Sequence, residues 1–156
     1  MGIKITLVGI KDKEVLKSLV NDYQGEILKS ETPEEYKYLD SYWQKPNRYP
    51  YLIEVDGKIA GFVLVNNYNL VEKDAKNISE FYIGPEFRKK GIGKMSAKKV
   101  FDLFPGKWEV RELESNAVAQ KFWRNVIAEY TGNNYKEVIL NNEKWHGPVQ
   151  TFDTIK

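Results

Sequence analysis

The sequence predicts a single α/β (α+β) domain built on a mixed sheet, and three observations carry that prediction. Segments of strand period and helical period alternate along the whole chain, in the order β-α-α-β-β-β-α-β-α-β-β. Two apolar runs, 51–55 and 59–65, flank Asp56-Gly57, a step that suits the two positive φ angles of a type I′ hairpin turn. A strand over 78–83, a helix over 92–104 and a strand over 108–113 form a crossover unit, so those two strands are expected to run parallel. The length of 156 residues fits one domain, and no repeat, low-complexity tract or Pro/Gly-rich linker divides it.

The chain opens on an alternating strand, Ile3 to Val8. Asp12 is placed to cap the helix that follows, in which Val15, Leu16, Leu19, Val20, Tyr23 and Ile27 recur at helical spacing. Thr32-Pro33 then begins a second short helix, with Tyr36, Leu39 and Trp43 on one face. After the hairpin, Gly84-Pro85 ends the strand over 78–83, and Pro105-Gly106 stops the helix over 92–104. Ser115 caps a helix whose Val118, Ala119, Phe122, Trp123, Val126, Ile127 and Tyr130 make one apolar face, and Gly132-Asn133-Asn134 stops it. Two last strands lie near 135–140 and 149–152.

Composition removes several kinds of chemistry. There is no cysteine, hence no disulfide framework, thiol nucleophile or thiolate metal site. The single histidine, His146, leaves little room for a metal site or a Ser-His-Asp triad, and no nucleophile elbow accompanies it. The first thirty residues lack a signal-peptide pattern, and no apolar run reaches the roughly 20 residues of a membrane span. The expectation is a soluble, cytoplasmic protein with no membrane partner and no metal.

Arg88-Lys89-Lys90-Gly91-Ile92-Gly93-Lys94 is the most informative stretch. It joins a strand to the start of a helix, where backbone N–H groups lack intrahelical partners and the helix dipole adds partial positive charge. Glycines at 91 and 93 clear side chains from the backbone, and four cations fall within seven residues. Cations at a helix start oppose the dipole by about 0.3–1 kcal/mol each, so the pattern favours an anionic ligand over a purely structural turn. The segment lacks the Ser or Thr of a P-loop and the third glycine of a dinucleotide fingerprint.

Arg88-x-x-Gly91-x-Gly93, preceded by a strand and followed by a helix, resembles the pyrophosphate motif of the GNAT superfamily of acetyl-CoA-dependent N-acetyltransferases. Asn116-x-x-Ala119-x-x-Phe122-Trp123 is similar to a second family pattern, which often carries Tyr seven residues after the Asn. The element order is similar over nearly the whole chain. The resemblance implies an acyl-CoA N-acyltransferase-like fold of about seven strands and four helices, with two parallel strands splayed around acetyl-CoA. It implies backbone groups of Phe81, Tyr82 and Ile83 along the pantetheine arm, amides from Arg88 to Lys94 on the pyrophosphate, and contacts from Asn116 and Trp123. The family tyrosine that protonates the leaving thiolate is replaced by Trp123, whose indole N–H is a donor but no useful acid. Another group or solvent then supplies the proton, or the protein binds without efficient turnover.

Amine acetylation needs a base, a donor for the developing oxyanion and a proton for the thiolate. By the same resemblance the Ile83 N–H polarises the carbonyl. Glu80 interrupts an apolar strand between Ile78 and Tyr82, where desolvation raises a carboxyl pKa, so it is the leading base candidate; a paired or edge-exposed carboxylate is the bland alternative. Glu109 and Glu112 are further candidates whose opposite strand parity lets only one face a cleft. Tyr130 and Tyr82 are weaker candidates for the acid, and His146 more readily occupies a loop or strand start than a functional place. The acidic stretch 31–35 with Tyr36, Tyr38, Tyr42 and Trp43 suits a cationic amine acceptor, small molecule or peptide, or else forms an ordinary helix face. Net charge is only +2 and the basic cluster is confined to one turn, which argues against a nucleic-acid partner. Exposed sheet edges allow a homodimer.

Overall fold

A computed structural model describes residues 2–28 and 39–155, with the backbone alone given for 27 and 28. The helix start expected at Thr32-Pro33, the acidic stretch 31–35, Tyr36 and Tyr38 lie outside the described residues. The strands are β1 (Ile3–Leu7), β2 (Tyr49–Val55), β3 (Lys58–Asn66), β4 (Lys76–Ile83), β5 (Lys107–Arg111), β6 (Lys136–Asn141) and β7 (His146–Asp153). The helices are α1 (Lys13–Leu28), α2 (Ser41–Gln44), α3 (Ile92–Leu103) and α4 (Ala117–Thr131). The strands form one sheet in the order β1-β2-β3-β4-β5-β7-β6. As the crossover pattern predicts, β4 and β5 pair parallel, through Lys76↔Trp108, Asn77↔Glu109 and Ile78↔Val110. The α/β fold class stands. Two compact units share the chain: Met1–Val65 with Glu80–Ser96, and Asn66–Ser79 with Ala97–Lys156.

In the first unit β1, β2 and β3 pair antiparallel, with a register shift at Ile53/Glu54. The hairpin forms as read: Asp56 has φ 48° and Gly57 φ 83°. Period-two alternation sorts apolar side chains to the two sheet faces. Leu52, Phe62 and Tyr82 pack with Leu16 and Val20 of α1, while Ile53, Val55, Phe81 and Ile83 pack with Ile92 of α3. Asp12, expected as the cap of α1, is instead the last residue of a 3-10 turn leading into it. The short α2 is tied to the body by Trp43 Nε1, which donates to the Val8 carbonyl at 2.9 Å.

In the second unit β7 lies between β5 and β6, antiparallel to both. Its core is aromatic. Phe101 meets Trp108 and Phe152 at centroid distances of 5.0 Å and Tyr130 at 5.2 Å. Helix α4 is capped by Asn116 rather than Ser115: the Asn116 side chain accepts from the Ala119 N–H at 3.0 Å. Gly132 ends α4 in the left-handed conformation, φ 62°. Trp123, Val126 and Ile127 form the buried face, but Val118 is 83% exposed. Val118 falls at the edge of the apolar stripe and in the first turn, which is why spacing alone misplaced it.

One buried carboxylate organises the segment between β3 and β4. Glu109, fully buried, accepts from the backbone N–H groups of Leu70, Val71 and Glu72 at 2.8–2.9 Å and pairs with Arg111 at 2.6 Å. Arg111 also donates to the Tyr68 carbonyl and lies over the Trp145 ring. Removing one member of a buried charge pair strands the other, at a cost of about 3–5 kcal/mol. E109A is therefore expected to lower unfolding free energy by that order in urea titrations. A loss below about 1 kcal/mol would show that other contacts hold the segment.

Candidate active site

Strand β4 hands the chain to α3 through a short, built turn. The Gly84 N–H donates to the Ala60 carbonyl at 2.7 Å, and a 3-10 turn, Pro85–Phe87, follows. Lys89 (φ 63°) and Gly91 (φ 77°) both take the left-handed conformation. The Met95 N–H donates to the Gly91 carbonyl, the first helical bond of α3, so the amides of the preceding residues have no intrahelical acceptor. A Cβ at Gly91 would meet only the Met95 methyl at 3.8 Å, so the backbone angle, not crowding by the protein, calls for glycine. Ile92 anchors the turn in the core, Gly93 is the second residue of α3, and Lys89, Lys90 and Lys94 are exposed.

Arg88 does not simply join these cations. Its Nε donates to the Ile83 carbonyl at 2.8 Å, its terminal nitrogen to Glu26 of α1 at 2.6 Å, and its guanidinium lies over the Tyr82 ring. Its own N–H donates to the Pro85 carbonyl. Lys90 Nζ donates to the Glu86 carbonyl at 3.2 Å. The hydrogen bond to Glu26 raises the pKa of Arg88 further, fixing its charge. The sequence offered no sign of the Glu26 partner, which stands 62 residues away.

Glu80 takes the place its neighbours implied. It is partly buried, and burial raises its pKa, while a 2.5 Å hydrogen bond from the Tyr23 hydroxyl pulls the other way. Tyr23, Phe62 and Tyr82 form an aromatic group beside it, with centroids 5.6–5.8 Å apart. Burial, then the charge of Glu26, raises the Tyr82 hydroxyl pKa, so Tyr82 is a weak proton donor.

The second unit holds the other candidates. Glu109 has its lone pairs occupied and is no free base. Glu112 falls beyond the end of β5, so the parity argument does not apply to it, and both Glu109 and Glu112 are buried. Burial pushes the Glu112 carboxyl up to about 8, against the lowering effect of a 2.8 Å hydrogen bond from Gln150. Gln150 also donates to Glu137, which Arg124 holds through two bonds. The Asn116 side chain serves as a helix cap, and Trp123 packs against Phe101 and Phe122. Tyr130 donates to Asp102, and burial, then that hydrogen bond, raises its pKa, so its proton is held more tightly than an ordinary tyrosine's. His146 is exposed at the start of β7 beside Asn141. An open pocket of about 790 Å³, lined by Tyr130, Tyr135 and Phe152 among others, contains none of the predicted cofactor or base residues.

The model of the acetyltransferase (GNAT) family matches residues 15–126, a span that runs from α1 through the turn and into α4. The chain belongs to the GNAT family of acetyltransferases. Solved structures show the same fold at low identity. An acetyltransferase from Thermus thermophilus superposes with a TM-score of 0.71 at 13% identity, covering 98% of this chain and 97% of the other. The ribosomal-protein-S18-alanine N-acetyltransferase from Escherichia coli gives 0.63 at 15%, with 98% and 94% covered. Spermidine N-acetyltransferase from Vibrio cholerae, in complex with CoA and spermine, gives 0.64 at 14%, with 97% and 95% covered. No curated protein matches the sequence significantly. Among the described residues of this GNAT chain no helix is long and apolar enough to cross a membrane.

Glu112 yields a pH prediction. The unfolded carboxyl gives up its proton near 4.5 and the folded one near 8, so between these values the native state binds more protons. Stability is therefore expected to fall as pH rises from about 4.5 to about 8 and to level off above. E112Q, an uncharged isostere, is expected to flatten that slope in melting experiments across the same window. An unaltered slope would assign it to other groups.

Proposed function

We propose that this GNAT chain transfers an acetyl group from acetyl-CoA to a primary amine by direct attack in a ternary complex. The observation that carries the reading is the turn that opens α3, where a side chain on left-handed Gly91 would meet only the flexible Met95 methyl at 3.8 Å and first-turn amides lack helical acceptors. That arrangement fits a pyrophosphate. The amides of Lys89, Lys90, Gly91, Ile92, Gly93 and Lys94 would bind it, with the exposed lysines supplying charge. The backbone of Phe81, Tyr82 and Ile83 would run along the pantetheine arm, with Asn116 and Trp123 as further contacts.

Bound acetyl-CoA supplies an activated acyl carbon. Glu80, its pKa raised, takes the proton from the attacking amine. The Ile83 N–H donates to the carbonyl oxygen as charge develops there. As the new C–N bond forms, the C–S bond breaks, and the thiolate takes its proton from solvent, because Trp123 has none to give. That same tryptophan, packed in a core, favours a second reading in which the chain binds acetyl-CoA and turns over weakly. The acceptor is an amine-bearing small molecule or peptide; solved neighbours include a spermidine N-acetyltransferase and a ribosomal-protein-alanine N-acetyltransferase. A cytoplasmic location and no nucleic-acid partner belong to the same reading.

Calorimetry with acetyl-CoA, CoA and an oligonucleotide tests it. Binding of both coenzymes near the micromolar range, roughly −8 kcal/mol, is expected, with no heat from the oligonucleotide. Absence of coenzyme binding would end the proposal. G91V is expected to weaken CoA at least tenfold, since valine strongly disfavours a φ of 77°. Thiol release against spermidine, an aminoglycoside and an alanine-terminated peptide separates enzyme from binder. E80Q is expected to lower kcat about 10²-fold with CoA affinity kept. In the wild type, kcat/KM is expected to rise with pH through a value above 4.5 as Glu80 ionises, a limb that E80Q loses. Wild-type rates in E80Q across that range would reject Glu80 as base.

A further inference from the structure

Neither the family motif nor the proposed chemistry involves strand β3, yet β3 approaches β4 more closely than side chains permit at one point. A Cβ built on Gly61 would overlap the carbonyl oxygen of Tyr82, lie 2.9 Å from its carbonyl carbon and 3.1 Å from Ile83 Cα. The obstacles are backbone atoms, so no rotamer change relieves them. Gly61 carries no left-handed φ, so its glycine is explained by this approach and not by a turn.

The approach sets the direction of a peptide plane. With no cis peptide among the described residues, the carbonyl of Tyr82 and the N–H of Ile83 point opposite ways. The Tyr82 carbonyl faces Gly61 of β3, so the Ile83 N–H faces away from β3. The next plane has the reverse sense: the Gly84 N–H donates to Ala60 of β3 at 2.7 Å, which turns the Ile83 carbonyl away from β3, on the same side as its N–H. That carbonyl is held at 2.8 Å by Arg88 Nε. Both planes around Ile83 are thus fixed, one by the missing side chain at 61 and one by the Gly84 and Arg88 bonds. Ile83 lies well past Ile78↔Val110, where the parallel register of β4 with β5 ends.

We propose that Gly61 is a positioning residue for acyl transfer: lacking a side chain, it lets β4 close onto β3 at Tyr82, which presents the Ile83 N–H to the thioester oxygen. Arg88 is the second pin, acting through the Ile83 carbonyl. This rests on the acetyl-transfer reading above and adds to it a residue that touches neither substrate. Alanine at 61 must push β4 outward or rotate the plane, moving the donor while leaving the α3 turn in place.

G61A is compared with wild type by CoA calorimetry and by thiol release from acetyl-CoA with the fastest amine of the panel. Rates are normalised to the binding-competent fraction given by calorimetric stoichiometry, so partial unfolding does not count as lost catalysis. The expected result is a CoA Kd within about threefold of wild type and kcat lowered on the order of 10²-fold, the usual effect of losing one oxyanion donor. A folded G61A with wild-type kcat overturns the proposal. Should G61A fail to fold, amide NMR of the wild type decides, with acetonyl-CoA as a thioester mimic that keeps the carbonyl. The Ile83 amide proton is expected to move downfield with acetonyl-CoA and not with CoA, while the Gly91 and Gly93 amides respond to both. An unresponsive Ile83 beside responsive glycines overturns the inference together with Ile83 as the oxyanion donor, and leaves coenzyme binding and acetyl transfer standing. Silence from all three, with no heat of binding, marks failure of the acetyl-transfer reading instead.

Discussion

Parallel strands cannot be joined by a tight turn, and β4 and β5 are parallel. The chain must leave the sheet after Ile83, run back as α3 and re-enter at Lys107. That detour puts the start of a helix beside the end of a strand. Helix starts leave amides without partners, and strand ends leave peptide groups aimed at whatever lies next to them. The basic turn, the base candidate and the aimed amide all sit within this one stretch, Glu80 to Lys94. Within the same compact unit, β2, β3 and α1 supply the packing that holds the stretch still.

Three buried or half-buried glutamates show how environment, not residue type, decides what a carboxyl can do. Glu80 has one donor among the described residues, Tyr23, and burial that raises its pKa. Glu109 has three amides and a guanidinium, so it is spent on structure. Glu112 has a single amide donor, and a second oxygen with no partner among the described residues, so it is held as an acid near neutral pH. The opposite parity of Glu109 and Glu112 allowed at most one of them to face a cleft, short of a bulge. In the structure β5 ends at Arg111, just before Glu112, and both carboxyls are buried.

Much of the fold was legible because it is local. Asp56-Gly57 fixed a hairpin, Gly132 a helix end, and the strand-turn-helix around Gly91 a candidate site, each through backbone angles that a short sequence specifies. The desolvation of Glu80 was legible too, from its apolar neighbours on the same face. What stayed hidden depends on distant partners. Arg88 reads as one of four phosphate-facing cations until Glu26 and the Ile83 carbonyl are brought to it. Asn116 rather than Ser115 caps α4 because the helix begins one residue later than its polar signal suggests. Gly61 looks like an ordinary residue in a hydrophobic strand; only the nearness of another strand's backbone gives it meaning.

The bond from Trp43 to the Val8 carbonyl has a practical side. Of the four tryptophans in the chain, Trp43 alone belongs to the first compact unit, while Trp108, Trp123 and Trp145 belong to the second. Each unit therefore carries its own fluorophores. Replacing the three in the second unit by phenylalanine leaves a single tryptophan, excitable apart from the tyrosines at the red edge, whose indole is tethered to the Val8 carbonyl. Its spectrum would follow the loosening of the first unit in real time, and the complementary Trp43→Phe variant would follow the second. Whether the two halves melt as one body or in succession then becomes an optical measurement.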